Sequence, residues 1–321
     1  MKKKYYLGID IGGTKCSVIA GNERMDILHK IQFRTETHKG PDYTLDNLCK
    51  NAATIVNKFS DYALVSIGIS CGGPLDSKRG LILSPPNLPG WNKIPVVKIF
   101  KEKFSVPVLL QNDANACALA EWKFGAGAGT ENMIFLTFGT GLGAGLILNS
   151  RLYTGTNDMA GEVGHIRMAD SGPIGYGKSG SLEGFCSGYG IAQLAQRIIL
   201  QKMENGEKIS YIDNERQLEN ITTKDLAEAA NKGDKTALEI FEISGRYLGA
   251  GLSILIDIIN PQRIVIGSVY ARNPHLFNAT CMDVIAKEAL RDAADVCDIV
   301  PAALGDQVGD YASLCVAMMN T

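Results

Sequence analysis

The sequence predicts an α/β fold made of two similar domains that face each other across a cleft. Three observations carry this. The chain has 321 residues, which at ~150 per domain is enough for two. Apolar strand-like runs alternate with helical stretches along its length. A Gly/Thr turn between two apolar strands occurs twice, as GIDIGGTKCSVIAG and TFGTGLGAGLILN. The two copies lie ~130 residues apart, near half the chain length.

Taken in order, residues 4–10, 15–20 and 27–33 read as strands, with the first break at Gly12-Gly13. Leu45, Leu48, Ala52, Ile55 and Val56 put one apolar stripe on a helix over 43–59. Residues 64–70 form a continuous apolar strand. A helix over 96–104, a strand over 106–111 and a helix over 114–122 follow, up to a Gly/Ala run at 125–129 with the composition of a linker. A second set begins the same way, with strands at 133–138 and 146–149 around a glycine turn at 139–145. Residues 161–188 are glycine-rich and read mostly as loop. Helices are expected over 191–203, 223–231, 235–259 and 275–293, and strands over 263–266 and 298–302. A closing helix is expected over 310–319. The expected domains are 1–122, joined by the closing segment 309–321, and 123–308.

Apolar residues make up 45% and charged residues 21%, ordinary for a globular chain. With 32 basic and 34 acidic residues, no bulk basic footprint points to nucleic acid. No run of about 18 apolar residues exists, so no membrane partner is expected. The apolar run after the lysines at 2–4 stops at Asp10, too short for a signal peptide. Eight cysteines without paired spacing read as reduced thiols of a cytoplasmic protein.

A Gly/Thr turn between strands exposes successive backbone N–H groups, a nest that suits phosphate. The same glycines also serve a plain tight hairpin. Two strings mimic other phosphate motifs. Gly139, Gly141 and Ala144 fit G-x-G-x-x-A, but that motif must open a helix and GLILNS continues as a strand. Gly172–Ser179, GPIGYGKS, matches the P-loop string, yet a polar stretch precedes it and Gly180-Ser181 follows, so no P-loop is expected. Asn112 and Asp113 fall between a buried strand and a helix, where ligands of open α/β sheets sit. Asp113 there either takes a proton from a hydroxyl attacking phosphorus or caps the helix. Glu162, His165 and Glu183, set among glycines, suit the paired donors and acceptors of a polyol. A lone loop histidine serves equally well as a structural residue.

GIDIGGTK, PPNLPGW, QNDANACALAE, FLTFGTGLGAGLI, GEVGHI, LEGFCSG and NPQRIVIG occur in that order. Together they resemble the ROK family of bacterial sugar kinases and sugar-responsive repressors. The resemblance implies an actin-like, ribonuclease-H-like ATPase fold and an ATP- and Mg²⁺-dependent kinase acting on the 6-hydroxyl of glucose or N-acetylglucosamine. A catalytically weak sugar sensor is the alternative. It implies Asp113 as the base, with Gly73, Asn87, Asn112, Asp113, Glu162, His165 and Glu183 around the sugar. It implies ATP phosphates at Asp10, Gly12, Gly13, Thr14 and Lys15 and at Gly139, Thr140, Gly141 and Gly143. Gly267 would lie by the adenosine, and Asp10 would help hold Mg²⁺. A homo-oligomer, a dimer, is usual in the family.

Three departures stand out. The first hairpin begins at residue 8, so no helix-turn-helix is expected before it. Gly267 is followed by Ser268 and Val269 where the family has further glycines. The family's zinc loop, Cys-x-Cys-Gly-x-x-Gly-Cys-x-Glu, aligns on Gly177, Gly180 and Glu183, which puts Ile174, Tyr176 and Ser181 in the cysteine positions. His165 and Cys186 alone do not close a tetrahedral site. No structural zinc is therefore expected, and packing of Ile174 and Tyr176, with a hydrogen bond from Ser181, should hold the loop.

Overall fold

The computed structural model describes residues 2–212 and 214–319. Positions 1 and 213, and positions 320 and 321 of the expected closing segment, lie outside the described residues. Strands β1 (Lys4–Ile11) and β2 (Lys15–Gly21) make the first hairpin, with Ile11 opposite Cys16. β3 (Ile27–Arg34) extends it antiparallel. Helix α1 (Gly40–Lys58) starts a turn earlier than expected, because Pro41 suits a first turn that needs no N–H. β4 (Ala63–Cys71) pairs parallel with β1. After a small hairpin of β5 (Leu75–Asp76) and β6 (Leu81–Ile82) come α2 (Val96–Phe104), β7 (Val108–Asn112) and α3 (Asp113–Phe124). The expected domain boundary after residue 122 thus falls within the last turn of α3.

The second half repeats the plan. β8 (Met133–Phe138), β9 (Leu142–Leu148) and β10 (Arg151–Tyr153) form an antiparallel meander. Phe138 pairs with Leu142, so the turn shrinks to Gly139–Gly141 and β9 begins earlier than expected. The glycine-rich stretch 161–188 is more ordered than a loop. It holds β11 (Ile174–Gly175), β12 (Lys178–Ser179) and the short helix α4 (Leu182–Phe185). α5 (Gly188–Glu204), α6 (Glu215–Glu219), α7 (Thr223–Asn231) and α8 (Lys235–Ile259) follow. β13 (Arg263–Ile266) leads into α9 (Ser268–Arg272), a turn the sequence did not signal. The helix expected over 275–293 is broken into α10 (Asn278–Glu288) and α11 (Arg291–Ala294). Ala289 turns extended, and the Leu290 N–H leaves the helix to meet Asp257 Oδ1 at 2.9 Å. β14 (Asp298–Pro301) and α12 (Val308–Ala317) complete the chain.

The two sheets run β3-β2-β1-β4-β7 and β10-β9-β8-β13-β14. Each is an antiparallel three-strand meander whose first strand then takes a parallel partner, so the repeat seen in the sequence is a repeat of topology. Each half has its own apolar core. A third cluster forms the seam, with Ala116, Leu119, Met133, Phe135, Leu314 and Val316 among its buried members. α12 is last in the chain but lies on β1, β4 and α3. Gly68 in β4 lets it come that near, since a Cβ there would collide with the Ala317 backbone. The chain crosses between the sheets after α3 and again after β14. Glu121 is fully buried at the crossing and accepts from Ala126 N (2.8 Å), Ala303 N (3.1 Å) and Leu304 N (2.9 Å).

Candidate active site

The carboxyl ends of β1, β4 and β7 bring the first group of residues together. Asp10 is the penultimate residue of β1, and the hairpin tip Gly12–Thr14 joins β1 to β2. Gly13 packs flush on Asn87, whose backbone oxygen would lie only 2.6 Å from a Cβ there. β7 ends on Asn112, and α3 opens on Asp113. Asn112 Oδ1 caps the helix by accepting from Ala114 N at 2.9 Å, and Asp113 Oδ1 accepts from the same N–H at 2.8 Å. The cap expected at Asp113 is thus supplied by Asn112, and Asp113 is the first residue of the helix. Asp113 Oδ2 has no protein donor among the described residues and lies beside Gly72, as does the Asn87 amide. Gly73 leaves room for the Asn112 amide.

The electrostatics of this floor are unfavourable to charge. Asp113 opens onto the cleft but is packed by protein on its other sides, and that burial raises its pKa despite the Ala114 N–H. Burial, then the charges of Asp113 and Asp310, push Asp10 up to about 7 against the pull of Lys15 and Lys30. Lys30 is held by Asp310 at 2.7 Å. A carboxylate this costly to ionise suits a divalent cation. Among the described residues no cluster of three or more His, Cys, Asp or Glu is arranged for a metal. A cation at Asp10 would then complete its shell with water and phosphate oxygens, as Mg²⁺ does.

The second hairpin is pinned on three sides. Gly188 N donates to Gly139 O (2.7 Å), Leu142 N to Glu183 Oε2 (2.9 Å) and Gly143 N to Thr137 Oγ1 (3.0 Å). Among the described residues no acceptor meets the N–H groups of Gly13, Thr14, Thr140 or Gly141. Each hairpin tip thus offers two adjacent amides to an anion. Ser268 stands beside Gly139, with its Oγ within 3.6 Å of where a Cβ at that glycine would sit. It holds a left-handed backbone (φ 53°) at the position where glycine was expected.

Glu162 and His165 come from the 3₁₀ turn after β10. Burial raises Glu162, the charges of Glu183 and Asp113 add to this, and His165 opposes it. The charges of Glu183, Asp113 and His165 are thus near enough to act on Glu162. The loop aligned with a zinc site is held by hydrogen bonds. Lys178 Nζ donates to His165 O (2.7 Å), Arg167 to Ser179 O (3.0 Å), and Ser179 Oγ exchanges bonds with Gly172. Ser181 is buried and caps α4. The expected packing of Ile174 and Tyr176 is corrected: they are 49% and 71% exposed, because the β11–β12 turn projects from the surface. Tyr176 only meets the edge of the His165 ring. The P-loop string folds as this hairpin, and its lysine serves the His165 backbone.

A model of the ROK family matches residues 6–316. The chain belongs to the ROK family. A glucokinase of Halalkalibacterium halodurans is 31% identical over 315 residues, covering 96% of this chain and 93% of that protein. The solved ROK glucokinase of Streptomyces griseus, in complex with glucose and AMPPNP, is 28% identical with a TM-score of 0.76, over 98% of this chain and 100% of that one. The xylose repressor of Bacillus spizizenii is 29% identical over 95% of this chain, which spans 74% of the repressor. The duplicated sheets are the two halves of the actin-like, ribonuclease-H-like ATPase fold. Sequence reasoning missed Gly72, Asp310 and Lys178 in this ROK site. The glycine pair after the buried strand was the signal for the first. Lys178 was noticed only as the lysine of the P-loop string, not as a partner of the His165 backbone, and nothing in sequence signals Asp310, which meets Lys30 from 280 residues away.

Proposed function

We propose that the protein is an ATP- and Mg²⁺-dependent hexose kinase that phosphorylates the 6-hydroxyl of glucose or N-acetylglucosamine. One observation supports this above the rest: the base-capable Asp113 stands on the same cleft floor as Asp10 and between two hairpins with free amides. Asn87, Asn112, Glu162, His165 and Glu183 would hold the sugar hydroxyls and turn O6 toward Asp113 Oδ2. Asp113 would accept the hydroxyl proton, and its raised pKa makes it a stronger base than an ordinary aspartate. The amides of Gly13, Thr14, Thr140 and Gly141 would hold phosphate oxygens, with Gly12, Lys15, Gly139 and Gly143 shaping the tips and Gly267 by the adenosine. Asp10 would hold Mg²⁺, which when bound neutralises phosphate charge. The halves, taken as residues 1–122 with the closing segment and 123–308, would close over both substrates and exclude water.

A second reading is a sugar sensor with weak catalysis. The left-handed Ser268 in the adenosine segment and the matches to xylose repressors favour it. A coupled ADP-release assay over a hexose panel decides. Turnover of a hexose that falls with Asp113→Asn supports the kinase. Sugar binding without turnover on any hexose supports the sensor.

A further inference from the structure

Glu183 reaches the phosphate hairpin as well as the sugar pocket. It sits in the first turn of α4. Its stem passes Gly164 and Gly175, where a Cβ would come within 3.1 and 2.7 Å of its own Cβ. Its Oε2 accepts from Leu142 N at 2.9 Å, one residue past the free amides of Thr140 and Gly141. Gly141 permits this bond, because a Cβ there would lie 2.8 Å from Oε2. Oε1 has no protein donor among the described residues, and the charge of Glu183 is felt at Glu162 across the pocket.

We propose that Glu183 is a positioning residue that couples sugar occupancy to nucleotide affinity. This rests on the kinase reading of the site. One carboxylate oxygen fixes the hairpin whose amides receive phosphate, and the other is free for a sugar hydroxyl. With the pocket empty, the uncompensated charge repels an incoming triphosphate, and the one tether that Glu183 gives the hairpin, through Leu142 N, rests on a carboxylate with one oxygen unpaired. A sugar hydroxyl donated to Oε1 draws off that charge and orders the carboxylate, so nucleotide binds more tightly. By linkage nucleotide tightens sugar by the same factor.

The test is calorimetric titration of Mg·AMPPNP with and without saturating hexose, glucose or N-acetylglucosamine, whichever binds more tightly. The wild type should gain roughly tenfold in nucleotide affinity with sugar, within the usual range of such couplings. Glu183→Ala should bring the factor close to one. Glu183→Gln, whose amide oxygen still accepts from Leu142 N, should retain part of it. Gly141→Ala keeps the carboxylate but pushes it off Leu142 and should also reduce the factor; it reads the coupling even if Glu183→Ala no longer binds sugar. A merely structural role would lower the melting temperature of these variants and leave the factor unchanged. Wild type that binds both ligands with a factor near one, or folded variants that keep the wild-type factor, would overturn the coupling alone. Wild type that binds neither ligand would overturn the kinase reading and the coupling together.

Discussion

Ionising Asp113 puts a negative charge on a crowded floor beside Asp10, and this ties activity to stability. A carboxyl whose pKa is higher folded than unfolded holds its proton more tightly when folded. Its favourable contribution is full below the unfolded pKa and is lost as pH rises through the folded one. For Asp10 that window runs from ~4 to about 7. In Mg²⁺-free buffer Asp113→Asn should therefore raise the melting temperature at pH 8 and leave it unchanged at pH 4, because it removes one charge repelling Asp10. The same variant should lose about 10²–10⁴ in kcat, since an amide cannot accept the hydroxyl proton. Thermal scans at the two pH values, with steady-state kinetics on the same preparation, check both. Near-normal turnover would remove Asp113 from the chemistry. The placement of Asp113 was legible because a carboxylate at a strand-to-helix junction is a local pattern. Its raised pKa was not, because it comes from burial and packing that no local pattern encodes.

At the scale of elements, the β11–β12 hairpin shows where local reading ended. GPIGYGKS has the letters of a P-loop, and its polar and glycine flanks were enough to reject it. What the lysine does instead depended on the third dimension, because His165 is far enough back in sequence to leave no pattern. Lys178→Ala should leave nucleotide affinity unchanged and weaken hexose binding a few-fold, by freeing the His165 backbone. Titrations of each ligand separate the two, and loss of nucleotide binding in folded protein would revive the P-loop. A chelator should not lower the melting temperature, because backbone and side-chain hydrogen bonds hold this loop. Stoichiometric zinc, lost together with stability on chelation, would show that the loop was aligned wrongly. The strands and long helices were legible from periodicity. α9 and the break between α10 and α11 were not, because Ser268 in a left-handed turn and the Asp257 contact that draws off Leu290 are tertiary choices.

For the whole molecule, the duplicated glycine hairpin revealed the architecture, since each copy marks the start of one sheet. The crossing point was hidden: Glu121 is one letter of an alanine-rich helix, yet it bonds to both chain crossings. Glu121→Ala would remove the acceptor of three part-buried N–H groups and should cost on the order of 1–3 kcal/mol, read as a lower urea midpoint. Glu121→Gln keeps one acceptor oxygen and should cost less. We also expect a homodimer in solution, and a concentration-independent mass of 34.5 kDa in light scattering would contradict it.

The placement of α12 bears on how the chain is made. The face of β1 and β4 that it covers is complete in sequence by Cys71, but its cover is not synthesised until Ala317. At ~5–20 residues per second, that apolar face waits roughly 12–50 s on the ribosome. The first half of the protein must then be the last to consolidate, although it is the first to emerge. Holdase chaperones would find their binding surface there, and a ribosome stalled shortly before position 308 would release a chain prone to aggregate while its second half is already folded.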